Sequence, residues 1–187
     1  MVTFNPAKTE VLYFGNQTPP LLKFNNDVLT STDTHKHLGV TLSHDYKWHT
    51  HIYNILLSAS RLLGIVRKLE YSVRRKSMNQ IYIYISFLRP ILEYASVVWD
   101  NCTQYEKNRL EHVQIEAAIH VSGVMRSITL NTLYNDIGWL TLGDRRTYQK
   151  IVLTFKIKNN MVPDYLSDLF PRSAENPQYN LRQQNDF

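Results

Sequence analysis

Trp48–Leu69 reads WHTHIYNILLSASRLLGIVRKL. Within it Trp48, Ile52, Ile55, Leu56, Ala59, Leu62, Leu63, Val66 and Leu69 recur at steps of three and four. That period predicts one amphipathic α-helix with an apolar stripe about six turns long. Asp45, just upstream, is placed to cap it. Before this helix the pattern is that of short strands. Thr9–Phe14, Leu21–Phe24, Val28–Leu29 and His37–Leu42 are apolar or β-rich runs. The Gly15–Asn16 and Pro19–Pro20 pairs and Asn25–Asn26–Asp27 fall between them as turns. The expectation is a small antiparallel sheet.

After the long helix the helical period continues. Ser77–Leu88 contains Ile81 to Ile85, apolar on most faces and hence central. Pro90 is expected to kink or end that helix, with Ile91–Trp99 resuming it. Glu106–Val121 places Leu110, Val113, Ala117 and Val121 inward, and Gly123 marks its stop. Thr129–Ile137 is closed by Gly138, and Asp144–Lys158 is capped by Asp144 and ends before Pro163. Pro163–Phe170 adds a turn or two, and residues 171–187 read as irregular. The fold class is α+β: a small sheet feeding a helical bundle.

At 187 residues and 43% hydrophobic composition the chain can build one ordinary globular core. The single cysteine, Cys102, excludes a disulfide framework and a Cys-rich zinc site, and fits a reducing compartment. No charged-then-apolar leader opens the sequence, and no apolar run reaches the roughly 20 residues of a spanning helix. The composition reads as a soluble intracellular domain, cytoplasmic or nuclear, without a membrane partner.

The formal charge is +5, and its distribution says more than its size. Residues 1–40 are neutral, 41–100 carry eight basic against four acidic side chains, 101–160 eight against five, and 161–187 two against four. The excess is densest at Arg67–Lys68 and Arg74–Arg75–Lys76. Such a cluster suits phosphate contacts, which release counterions; it equally suits a solvated helix end.

Catalytic signatures are sparse. His35 and His37 share a strand face and could bite one ion, but no cysteine or carboxylate pair completes a common ligand set. His49 and His51, at the start of a helix, point to different faces. Cys102 and His112 lack a family signature, and there is no Gly-x-Ser-x-Gly, phosphate loop or dinucleotide fingerprint. The acidic residues are scattered singly, with no adjacent Asp pair to hold two metal ions. Tyr82, Tyr84, Tyr94, Trp48, Trp99 and Trp139 could stack on bases, but core packing is the plainer role.

In order along the chain, several short runs resemble the reverse transcriptases of non-LTR (LINE-type) retrotransposons, such as the jockey and RTE groups. They are Asn5–Pro6–Ala7–Lys8–Thr9–Glu10, Lys36–His37–Leu38–Gly39–Val40, Trp48 with His51–Ile52, and Leu63–Gly64. Further on come Pro90 with Leu92–Glu93–Tyr94, Ser96 and Trp99, then Leu110–Glu111 with Val113–Gln114. Ala117–Ala118, Gly123, Gly138–Trp139 with Leu142 and Arg145–Arg146, then Pro163, Tyr165–Leu166 and Tyr179–Asn180–Leu181–Arg182 complete the set.

The resemblance implies that residues 1–42 are the last strands of a polymerase palm and 43–187 a thumb and following helical region. Lys8 matches the family's motif-D lysine, which can lie near departing pyrophosphate; a surface lysine beside a turn is the alternative. Leu38, Gly39 and Val40 match the primer grip, and Gly39 lets a phosphate approach without a Cβ in the way. The Trp48–Leu69 helix would track a template–primer duplex, with Arg61, Arg67, Lys68, Arg74, Arg75 and Lys76 on phosphates. The implied partner is thus an RNA/DNA template–primer, with no small-molecule substrate. The family's catalytic aspartates would lie before residue 1, so no catalytic residue, metal site or cofactor is expected here, Mg2+ belonging to the full-length parent. A truncated element copy or a partial gene model would account for both ends. The competing reading is a non-catalytic helical module that binds protein.

Overall fold

The stripe of Trp48–Leu69 folds as helix α1, His49–Ser72, and its apolar side builds the core. The computed structural model describes residues 9–15, 21–24, 27–72, 79–124 and 129–170. Lys8, Arg74, Arg75, Lys76, the turn residues 16–20 and 25–26, and the tail 171–187 lie outside them. The chain divides into two compact units, Met1–Gly143 and Asp144–Phe187.

In the first unit the strands are β1 (Glu10–Leu12), β2 (Lys23–Phe24), β3 (Asp27–Val28), β4 (Thr30–Thr32), β5 (Thr34–His37) and β6 (Val40–Ser43). Among the described residues they form three two-stranded ladders rather than one antiparallel sheet. β2–β3 and β5–β6 are antiparallel hairpins, whereas β1 pairs with β4 in parallel, Glu10 opposite Thr30. The short β2–β3 hairpin is the connection that carries the chain from β1 to β4 in the same direction.

The helices are α1, α2 (Asn79–Ile83), α3 (Arg89–Glu93), α4 (Ser96–Trp99), α5 (Gln104–Ser122), α6 (Leu130–Ile137), α7 (Leu142–Lys158) and α8 (Asp164–Ser167). Pro90 does not break the chain's helical course. A π-helical turn, Tyr84–Leu88, joins α2 to α3, and the Arg89 amide donates to the Tyr84 carbonyl five residues back. Widening the helix by one residue accommodates the missing proline N–H, and Pro90 sits in the first turn of α3, where that donor is not needed. The bend falls instead at Ala95, held left-handed at φ 53.

α5 begins with a capping box. Thr103 accepts from the Glu106 amide, and the Glu106 carboxylate accepts from the Thr103 amide at 2.8 Å. It ends at left-handed Gly123, as α6 ends at Gly138. Asp45 accepts from the Lys47 amide in the turn before α1, and Asp144 lies within the first turn of α7.

Ile52, Leu56, Ala59 and Leu63 of α1 pack with Leu88, Leu92, Trp99, Leu110, Val113 and Ala117. Ala118 with Leu133 and Tyr134 forms a smaller cluster. Gln114, fully buried, links the two. It accepts from the Tyr84 hydroxyl and donates to the Leu140 carbonyl at 2.9 Å, while Glu111 accepts from the Tyr134 hydroxyl and the Leu142 amide. Burial and the Glu111 carboxylate push the Tyr134 phenol above its ordinary range, keeping it a donor. Tyr84 and Trp139 stack with ring centroids 3.7 Å apart.

Candidate nucleic-acid interface

The β5–β6 hairpin closes through two residues only, since His37 pairs with Val40. Both closing residues have positive φ, Leu38 at 45° and Gly39 at 85°, as a turn matched to the strand twist demands. Glycine adopts this freely; leucine does so at a cost of roughly 1–2 kcal/mol. Yet the Leu38 side chain is 78% exposed, so its own burial does not offset that cost. An outlier of this kind survives where surrounding contacts over-determine it.

Those contacts come from the helical layer. The Tyr94 hydroxyl donates to the Leu38 carbonyl at 2.8 Å, and a Cβ on Gly39 would stand 3.0 Å from the Tyr94 ring. Tyr94 lies at the bend after α3, where left-handed Ala95 turns the chain; the Trp99 indole donates to the Tyr94 carbonyl at 2.9 Å. One residue beyond Val40 in β6, His51 of α1 accepts from the Thr41 amide through Nδ1 at 3.2 Å, and Asn54 donates to the Thr41 hydroxyl.

His51 is 3% exposed and set edge-on between the Trp48 and Trp99 rings. Accepting at Nδ1 requires the neutral ring with its proton on Nε2, which finds no hydrogen-bond partner among the described residues. Burial first, and the nearby Lys36 charge second, lower its pKa from the usual histidine range.

α1 presents its opposite side to solvent. Tyr53, Leu57, Arg61, Ile65 and Lys68 fall within one helix face and are all exposed. Arg67 turns away from that face, its guanidinium 2.8 Å from the Glu116 carboxylate of α5. The structure therefore brings Arg61 and Lys68 together and commits Arg67 to a tie between helices.

The base of α1 is fastened to α5. His49 Nδ1 lies 2.5 Å from the Glu106 carboxylate, and the Trp48 indole donates to Asn101. Burial raises the Glu106 pKa, but hydrogen bonds from Thr103 and the His49 contact outweigh it, leaving a net lowering.

His35 and His37 do share a strand, with ring centroids 6.4 Å apart, and His35 is engaged by Glu10 at 3.0 Å. Among the described residues no three His, Cys, Asp or Glu side chains are grouped so that they could hold a metal ion. Of the aromatics, Tyr84 and Trp99 are buried, whereas Tyr82 and Tyr94 are exposed. The contact of Tyr94 with the hairpin turn and the buried acceptor role of His51 are not distinguished by spacing. The one signal was that both fall in the ordered set of runs quoted above.

The chain is similar to the RNA-directed DNA polymerase from mobile element jockey of Drosophila melanogaster. The identity is 24% over 169 residues, which cover 89% of this chain and 18% of that protein. This similarity supports a relationship to the reverse transcriptases of non-LTR elements. No protein-family model and no solved structure matches the chain. Among the described residues no helix is long and apolar enough to cross a membrane.

Proposed function

We propose that this chain is a palm-edge and thumb region of a non-LTR reverse transcriptase and grips an RNA/DNA template–primer. The β5–β6 tip, Leu38, Gly39 and Val40, acts as the primer grip, and α1 lies along the duplex. Arg61 and Lys68 contact phosphates from its exposed face, with Arg74, Arg75 and Lys76 continuing the basic run and Arg67 contributing at the margin. Lys8 matches a motif-D lysine. The observation that carries this reading is the exposed, glycine-containing turn held by Tyr94, in a hairpin whose Thr41 is tied to the helix that carries Arg61 and Lys68 on its exposed face. Phosphate neutralisation by a few cations is a weak, long-range attraction, so binding is modest and falls with salt.

The test is fluorescence anisotropy of the purified chain with a labelled RNA/DNA hybrid at low and moderate salt. Arg61→Glu/Lys68→Glu and Arg74→Glu/Arg75→Glu/Lys76→Glu each weaken binding and flatten the salt slope by about 0.7–0.9 per lost phosphate contact. Binding that ignores salt, or none by a folded chain, overturns the reading. The same titration with Mg2+ and nucleotides is expected to extend no primer.

A second reading, a protein-binding helical module, is favoured by one observation in the second unit. Tyr148, Ile151 and Phe155 of α7 are exposed and lie on one face of the helix.

A further inference from the structure

We infer that Tyr94 is the positioning residue of the hairpin tip: its hydroxyl and ring hold Leu38–Gly39 in the strained turn that meets the primer terminus. The inference rests on the grip reading above and adds to it the residue that sets the tip's place. Three observations converge. Leu38 carries left-handed backbone geometry while its side chain stands in solvent, so the conformation is imposed on it. The Tyr94 hydroxyl takes the Leu38 carbonyl, and the ring closes on the open side of Gly39, so this side chain does the imposing. Tyr94 is itself fixed by a second left-handed residue, Ala95, and by the Trp99 indole on its carbonyl. Two strained non-glycine residues, one on each side of a single contact, are a costly way to shape an exposed turn. A hairpin needing only stability would carry Asn or Gly at position 38. Holding a leucine outward at a defined place suits a surface that meets a terminal nucleotide by shape.

The test uses the full chain, its Tyr94→Phe and Tyr94→Leu variants and two probes. One is an RNA/DNA hybrid with a recessed DNA 3′ end; the other is the same hybrid closed by loops, so that it has no terminus. The wild-type chain prefers the recessed end. Tyr94→Phe, which keeps the ring and loses the hydrogen bond, reduces that preference about fivefold. Its affinity for the closed hybrid stays as it was, its thermal midpoint falls by no more than the few degrees that one lost hydrogen bond costs, and amide exchange at Gly39 and Val40 accelerates. Tyr94→Leu abolishes the preference. A merely structural role would move both probes together with the midpoint, which overturns the inference. Unchanged exchange and unchanged preference in both variants overturn it too, leaving the grip reading standing. A wild-type chain that treats the two probes alike overturns the grip reading, and this inference with it.

Discussion

Gly39 packs against the Tyr94 ring, and His51 is held by the Thr41 amide between two tryptophan rings; each yields a prediction. Gly39→Ala adds the left-handed cost of roughly 1–2 kcal/mol and forces the methyl to within 3.0 Å of the Tyr94 ring. Urea unfolding should show a loss of that order. Adding Tyr94→Leu to it should recover only the part due to the ring contact. His51 has the opposite sign from an ion-paired histidine. Its folded pKa lies below the usual 6.5, so the unfolded chain takes up the proton first as pH falls. The stability that the neutral ring contributes is fully present above 6.5 and is lost as pH falls from there through the depressed folded value. Chemical denaturation between about pH 7.5 and 5 should show this slope in the wild type and a shallower one in His51→Phe, which cannot titrate. Glu106 gives a separate, more acidic window below its ordinary 4.5.

Secondary elements were legible in the sequence where one local rule dominated. The stripe from Trp48 to Leu63, the Gly123 and Gly138 stops and the Thr129 start all depend on residues a few positions apart, and the structure has them in place. What the pattern did not reveal depends on distant partners. The parallel β1–β4 pair needs the intervening hairpin to be placed first, and the π-helical turn answers a proline six residues after its first residue. Likewise Arg67 reads as one more cation until α5 supplies Glu116. Side-chain magnitudes follow the same division. Thr103→Ala removes the cap of α5 and should cost about 1 kcal/mol in thermal or urea unfolding. Arg67→Ala breaks an ion pair whose arginine is exposed and should cost under about 1 kcal/mol.

Across the first unit, Trp99 ties the strands to the helices. It is fully buried, sits edge-on to His51 and holds the Tyr94 carbonyl, so it touches both supports of the β5–β6 hairpin. Trp99→Ala should therefore cost about 3–5 kcal/mol and also loosen the tip, visible as faster amide exchange at Val40 and Thr41. The candidate site was legible in part at this scale: Leu38, Gly39 and Val40 stood out by resemblance, whereas their supports come from positions more than ten and fifty residues onward. Three residues beyond Trp99 lies Cys102, the sole thiol of the chain, packed in the same core. A thiol-reactive dye can reach it only when that core opens. At dye concentrations where reclosing is faster than labelling, the rate reports the free energy of opening; at high concentrations it reports the opening rate itself. The chain thus carries a built-in clock for its own breathing, readable with no engineered label.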